Sequence, residues 1–260
     1  MCPPAGSADR PDVVLVHGVG VGPESFAVTR AALAAAGRRV HGVVRPGYGR
    51  GEHAMDLSEQ VDRIIDSVVL RPSSSGPSSN RTARQAAWVG VSGGATLGVI
   101  AATRRPAGIT VAVLHEPLVG SAAPGLQAMI RRGADRLAAV RPDEQHGADG
   151  QRAVEYMTGL VGVDCWQLLG RDGRAAVEAR SALIACEVPR FARFEPGAVP
   201  PDAGVRVVIT VGERSPAVRH DAARRAADLL HGSVHVIAGV GHLPQVEAPT
   251  EFAELIEALT

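Results

Sequence analysis

The chain contains no lysine: all 27 of its cationic side chains are arginine. That excludes a P-loop lysine, a Schiff-base lysine and a serine–lysine dyad. Cysteine is nearly absent as well. Cys2, Cys165 and Cys186 are too few and too scattered for a disulfide framework or a zinc site, and read as small buried or incidental thiols. Neither sign of charge dominates, with 27 cationic and 27 acidic residues, so no basic field recruits nucleic acid or acidic lipid. No apolar run approaches the length of a membrane span. The opening "MCPPAGSADRPD" lacks the cationic and apolar order of a signal segment, which makes a cytoplasmic location the expectation. No internal repeat stands out.

What remains is a chain of 260 residues, 45% hydrophobic, long enough for one substantial core with room for an inserted lid. Five β-branched runs lack polar alternation: "VVLVH" (13–17), "AAWVGV" (86–91), "TVAVLH" (110–115), "VRVVITV" (205–211) and "VHVIA" (234–238). Such runs suit strands covered on both faces in a parallel sheet, and "RRVHGVV" (38–44) is a weaker sixth. Helical patterns separate them: "ESFAVTRAALAAAG" closing on Gly37, "LSEQVDRIIDSVVL" with Val61, Ile64, Ile65 and Val68 on one face, "ATLGVIAATRR", "RHDAARRAADLLHG" and "EFAELIEAL". Alternation of this kind predicts an α/β fold, its sheet mostly parallel and flanked by helices.

Two segments break the rhythm. "RPSSSGPSSNRTARQ" (71–85) is Ser/Pro-rich and reads as a surface loop. Residues 118–204 hold three helical patterns and no clear strand, so they are expected to form a helical cap (lid) inserted into a core made of 1–117 and 205–260.

The chemistry concentrates in three places. Gly90-Val91-Ser92-Gly93-Gly94 is a G-x-S-x-G pattern between a predicted strand and a predicted helix. The turn must be tight, so residues two before and two after the serine must lack bulk; the helix N-terminus then faces any negative charge that develops there. "LVHGVGVGPESF" follows the first strand and offers a glycine-rich loop whose N–H groups, with that of Gly93, suit an oxyanion. The rival reading, a dinucleotide loop, fails because Pro23 stands where its third glycine belongs and no acid ends the second strand near Val44. Third, "AGVGHLPQVEAP" sets His242 among glycines.

Taken in order, "VHGVGVGPESF", "VRPGYGRG", "WVGVSGGATLG" and "VGHLPQVEAP" resemble the α/β-hydrolase fold, in its cap-bearing esterase, lactonase and dehalogenase-like branch. The resemblance implies Ser92 as nucleophile, His242 as general base, Val19 and Gly93 as the oxyanion-hole donors, and a structural role for His17. In most of the family the acid follows the strand read here as "VRVVITV", but Ser215 occupies that place. A serine holds no negative charge beside an imidazolium, so replacing it by alanine is expected to matter little. Some relatives carry the acid one strand earlier, after the strand that follows the nucleophile helix, and there Glu116 stands at the end of "TVAVLH". Ser92–His242–Glu116 is therefore the expected triad, with Glu213 as runner-up acid. Asp221 reads as a helix N-terminal charge. The bland reading of Glu116 is a pairing with a cap arginine such as Arg131 or Arg132.

Other candidates are weaker. His115 and Glu116 are not expected to form a metal pair, because adjacent strand residues face opposite ways. Glu52-His53 reads as solvated loop. Trp166, Met129, Met157, Phe191 and Phe194 are expected to pack the cap, some of them lining a substrate pocket. The implied activity is hydrolysis of a small or medium apolar ester, thioester or lactone, a small-molecule substrate, with no metal, cofactor, nucleic acid or membrane partner. Serine at the nucleophile position argues against a dehalogenase or epoxide hydrolase. A non-hydrolytic acyltransferase, cyclising thioesterase or lyase, or a binding protein with a decayed site, are the alternatives.

Overall fold

A computed structural model describes residues 10–49, 52–68, 85–104, 108–138, 147–197 and 204–260. The loop expected over 71–85 lies, but for its last residue, outside the described residues, as does Cys2. The uninterrupted β-branched runs form β1 (Asp12–Val16), β2 (Val40–Val43), β3 (Ala86–Val91), β4 (Ile109–His115), β5 (Arg206–Gly212) and β6 (Ser233–Ile237). They make one six-stranded sheet in the order β2-β1-β3-β4-β5-β6, and every pairing is parallel. Burial follows position in that order. Every residue of β1 and β3 is buried, whereas β6, at one edge, leaves Val234 and Val236 exposed.

Helices cover the sheet between strands, as parallel crossovers require: α1 (Ala27–Ala35), α2 (Leu57–Val68), α3 (Gly93–Arg104), and later α9 (Ala217–Leu230), α10 (Pro244–Glu247) and α11 (Pro249–Leu259). Of the face expected on α2, Val61, Ile64 and Val68 are buried and Ile65 packs partly buried against the core. The central helix α3 is buried from Gly93 to Ala102. The indole of Trp88 is fully buried on β3, and its Nε1 donates to the carbonyl of Gly94 at 3.0 Å. Its one polar atom is thereby satisfied, and strand and helix are tied at the turn.

Between β4 and β5 stand α4 (Pro124–Ala138), α5 (Gly147–Val161), α6 (Val163–Leu168), α7 (Gly170–Ala179) and α8 (Ser181–Ala192). The pattern "GRAAVEARSALIA", expected as one helix, is two: α7 stops at Ala179 and α8 runs on to Ala192 through Pro189. α6 was not legible because six residues make too short a window for periodicity. None of the described helices is long and apolar enough to cross a membrane.

Candidate active site

Five strands, β1, β3, β4, β5 and β6, deliver their carboxyl ends to one edge of the sheet, where strand order reverses around β1 and β3. Ser92 follows β3 directly and opens α3 with φ +55°, a left-handed conformation that a non-glycine residue adopts only where surroundings enforce it. The surroundings are two close approaches. A Cβ on Gly90 would lie 2.4 Å from the Gly94 carbonyl oxygen, and one on Gly94 would lie 2.1 Å from that of Val16. No residue but glycine fits either position. The loop after β1 lies against this turn: a Cβ on Gly18 would meet Ser92 Cβ at 3.2 Å, and one on Gly93 would meet Val19 Cγ2 at 3.1 Å. Val19 and Gly93, the expected oxyanion-hole donors, thus share a wall of the space beside Ser92.

His242 sits in the loop between β6 and α10. Glu247 holds that loop by accepting the N–H groups of Gly241 at 2.9 Å and Leu243 at 3.1 Å. The imidazole is buried, with Nδ1 2.6 Å from Glu116 Oε2. Its Nε2 is buried without a hydrogen-bond partner among the described residues, so Ser92 Oγ makes no bond to it here. Such bonds are often long in unliganded sites.

Glu116 ends β4 at φ +51° and is 3% exposed. The turn out of extended conformation overturns the expectation that His115 and Glu116 face opposite ways: His115 Nε2 lies 3.6 Å from Glu116 Oε1. Alternation applies only while the backbone stays extended. Among the described residues no three His, Cys, Asp or Glu side chains are placed so that they could hold a metal ion. His115 Nε2 instead donates to the Gly241 carbonyl at 3.2 Å, beside His242, which leaves Nδ1 of the neutral ring to accept the Thr210 hydroxyl at 3.0 Å.

The Glu116 carboxylate has further donors. Oε1 accepts the Gly212 N–H at 3.2 Å and the Ser215 hydroxyl, and Oε2 faces Arg219 Nη1 at 3.0 Å. The expected bland partner was therefore misplaced: the arginine comes from α9. Arg131 instead bonds the Ala192 carbonyl at 3.3 Å. Ser215, expected to matter little, is thus a hydrogen-bond donor to Glu116. Glu213 is exposed and accepts the Gly239 N–H at 2.8 Å. Asp221 pairs with Arg225 at 2.7 Å, and Glu52 closes its own loop by accepting Gly47 N–H at 2.7 Å.

The space beside Ser92 measures about 20 Å³ and is walled by Leu118, Ile130, Leu160, Val188 and Phe191, with Tyr156, Glu116 and Arg219 as polar members. A larger space of about 490 Å³ lies between α4 and α5, bordered by Met129, Arg132 and Arg136, and shares Ile130, Tyr156 and Leu160 with the first. Met157 packs beneath Gly20, within 3.2 Å of where its Cβ would be. Trp166 and Phe194 are buried but border neither space.

A buried polar network on the other side supports the loop after β1. Arg45 and Glu187 are ion-paired with side chains 0% and 1% exposed. Gln60 bonds both, and Tyr48 donates to Glu187 at 2.7 Å while accepting the Gly20 N–H at 3.0 Å. His17 Nδ1 bonds the Gly18 carbonyl at 2.9 Å and its Nε2 accepts the Arg45 N–H at 3.2 Å, a framework position. Beyond the structural role that the resemblance implies for His17, none of this network was legible in sequence.

Burial shapes the titrations. Desolvation would raise the Glu116 carboxyl, but the charge of Arg219 and the two neighbouring imidazoles outweigh it and hold the group far below the usual range. His242 is lowered, first by burial and then by Arg219, against the pull of Glu116. Burial lowers His17 and takes His115 to about 4. Each histidine has a folded value below its unfolded one, so the unfolded chain binds protons that the folded chain refuses. Stability is therefore full above about pH 6.5 and falls as pH drops below it. At pH 5, His115 alone accounts for a loss of about 2 kcal/mol. The unfolding midpoint is expected to be at least about 4 °C lower at pH 5 than at pH 7.5, and equal midpoints in calorimetry would contradict buried neutral imidazoles.

The model of the alpha/beta hydrolase family matches residues 13–255, nearly the whole chain. The chain belongs to that family. Hydrolase chemistry is the general activity which this membership supports. A hydrolase from Pseudomonas aeruginosa PA01 superposes with a TM-score of 0.68 at 18% identity, covering 98% of this chain and 91% of its own. A thermophilic esterase from Thermogutta terrifontis gives 0.65 at 17% identity, over 96% and 89%. Est816, described as an N-acyl homoserine lactone degrading enzyme, gives 0.62 at 17%, over 97% and 94%. At these identities the likeness shows the fold. No curated protein matches the chain.

Proposed function

We propose that the protein is a serine hydrolase that cleaves a small or medium apolar carboxylic ester, thioester or lactone through an acyl-enzyme. The observation that carries this reading is the buried His242–Glu116 pair, joined at 2.6 Å in the same strand-end cluster as the strained Ser92 turn. In the reaction, His242 Nε2 takes the Ser92 proton as Oγ bonds the carbonyl carbon. The N–H groups of Val19 and Gly93 receive the resulting oxyanion. His242 then returns the proton to the leaving oxygen or sulfur as its bond to carbon breaks, and water repeats the sequence on the acyl-enzyme. Glu116 fixes the imidazole tautomer through Nδ1–H. The helices α4–α8 act as a cap that supplies the apolar wall of the acyl pocket.

A carboxylate on His242 despite Ser215 speaks against a decayed site. The test is a fluorophosphonate probe, which reacts only with an activated serine. Folded wild-type protein is expected to be labelled on Ser92, and Ser92→Ala and heat-denatured protein are expected to stay unlabelled. Absence of labelling in the folded wild type would overturn the reading.

A further inference from the structure

We propose that Arg219 and Tyr156 form a second oxygen-recognition subsite, so that the preferred substrate carries a neutral acceptor oxygen, such as a ketone carbonyl, on its acyl portion. The inference deepens the serine-hydrolase reading and rests on it for the word substrate.

Three observations support it. Arg219 is 3% exposed and borders the space beside Ser92, yet only its Nη1 is engaged, on Glu116; Nη2 is buried with no hydrogen-bond partner among the described residues. A buried charged donor left unsatisfied costs more than a hydrogen bond returns, so it calls for an acceptor, which an ordered water or a ligand oxygen can supply. Tyr156 borders the same space from α5 and makes no hydrogen bond to the described residues. Most side chains around it there, Leu118, Ile130, Leu160, Val188 and Phe191, cannot accept a hydrogen; of the acceptors in the wall, Glu116 is already met by four donors and Ser92 is the nucleophile of the proposed reaction.

The charge balance selects the acceptor. Arg219 is already matched by Glu116, and the adjacent histidines are neutral, so the buried group carries no net charge. A carboxylate brought into this dry space would be uncompensated and would lie near Glu116. A carbonyl oxygen offers lone pairs without charge. It can take Nη2–H of Arg219 and the hydroxyl of Tyr156 together.

The experiment compares 4-nitrophenyl 4-oxopentanoate with 4-nitrophenyl pentanoate, esters of equal length that differ by one ketone, and adds the anionic 4-nitrophenyl hydrogen succinate. Wild type is expected to prefer the oxo ester in kcat/KM by at least about tenfold, with no gain for the succinate. Arg219→Met frees Glu116 from its clamp and slows both neutral esters, so the readout is the ratio, expected to fall to about threefold or less. Tyr156→Phe leaves the Arg219–Glu116 pair intact and is expected to narrow the ratio too, which keeps the test available if Arg219→Met fails to fold. Equal wild-type rates on both esters, a preference for the succinate, or a ratio unchanged in the variants would overturn the subsite. Should wild type cleave none of the esters, the hydrolase reading falls instead. The subsite is then judged by thermal unfolding of Ser92→Ala with methyl 4-oxopentanoate against methyl pentanoate: a larger upward shift with the oxo ester upholds it, equal shifts refute it.

Discussion

Glu116→Gln is expected to lower kcat by about 10³–10⁴, with the fold intact by circular dichroism. The analogous loss of charge in a serine-protease triad has that size because the neutral amide favours the wrong imidazole tautomer. The present site sharpens the expectation. Glu116 is met by four donors, from His242, Gly212, Ser215 and Arg219, and an amide nitrogen at either oxygen position would confront donors with a donor. Ser215→Ala removes one of those four and leaves the charge in place. Its expected cost is about tenfold, the worth of one hydrogen bond to a charged group, rather than the negligible effect its bare sequence position suggests. If Glu116→Gln keeps more than a tenth of wild-type turnover while Glu213→Gln loses nearly all, the acid has been assigned to the wrong residue.

The second large effect is on stability. Glu187→Ala strips the carboxylate from an arginine whose side chain is wholly buried, leaving Arg45 with Gln60 and two aromatic faces, the rings of Tyr48 at 4.9 Å and Phe191 at 5.7 Å from its guanidinium. Breaking one half of a buried ion pair costs about 3–5 kcal/mol, which for a domain of this size lowers the unfolding midpoint by about 10 °C. Function is expected to suffer too, because Tyr48 loses the acceptor that orients its hydroxyl toward Gly20. Replacing both partners, Arg45→Met with Glu187→Leu, is expected to recover most of the midpoint, since apolar side chains need no charge partner. A midpoint shift under about 2 °C for Glu187→Ala, by differential scanning calorimetry, would show that the pair is not desolvated as described.

The fold could be read because its signals are local. Continuous β-branched runs fix the strands within a residue or two, and Gly90 and Gly94 announce a turn that no bulkier residue can make. The pairing of Glu116 with His242 could be anticipated only through the family resemblance, which allows a carboxylate one helix and one strand beyond Ser92. What stayed hidden depends on contacts across the chain. Arg219 lies in "RHDAARRAADLLHG", where it looks like any other arginine on an amphipathic helix; only the packing of α9 beside β5 brings it to Glu116. Glu187 was unreadable for the same reason, its partner Arg45 belonging to another element far back in sequence. His115 misled because the rule of alternating faces ends where Glu116 turns left-handed, and that turn leaves no mark in composition.

The small volume beside Ser92 carries a kinetic lesson. It admits little more than one water, so any acyl chain must part Ile130, Tyr156, Leu160 and Phe191 before it can settle. The work of parting them is the same for every guest, whereas each added methylene returns about 0.8 kcal/mol of burial. For the proposed hydrolase, selection by length is then expected to act as a threshold: the shortest acyl groups repay the opening least, and longer ones gain as they extend toward the roomier chamber that shares Tyr156 and Leu160.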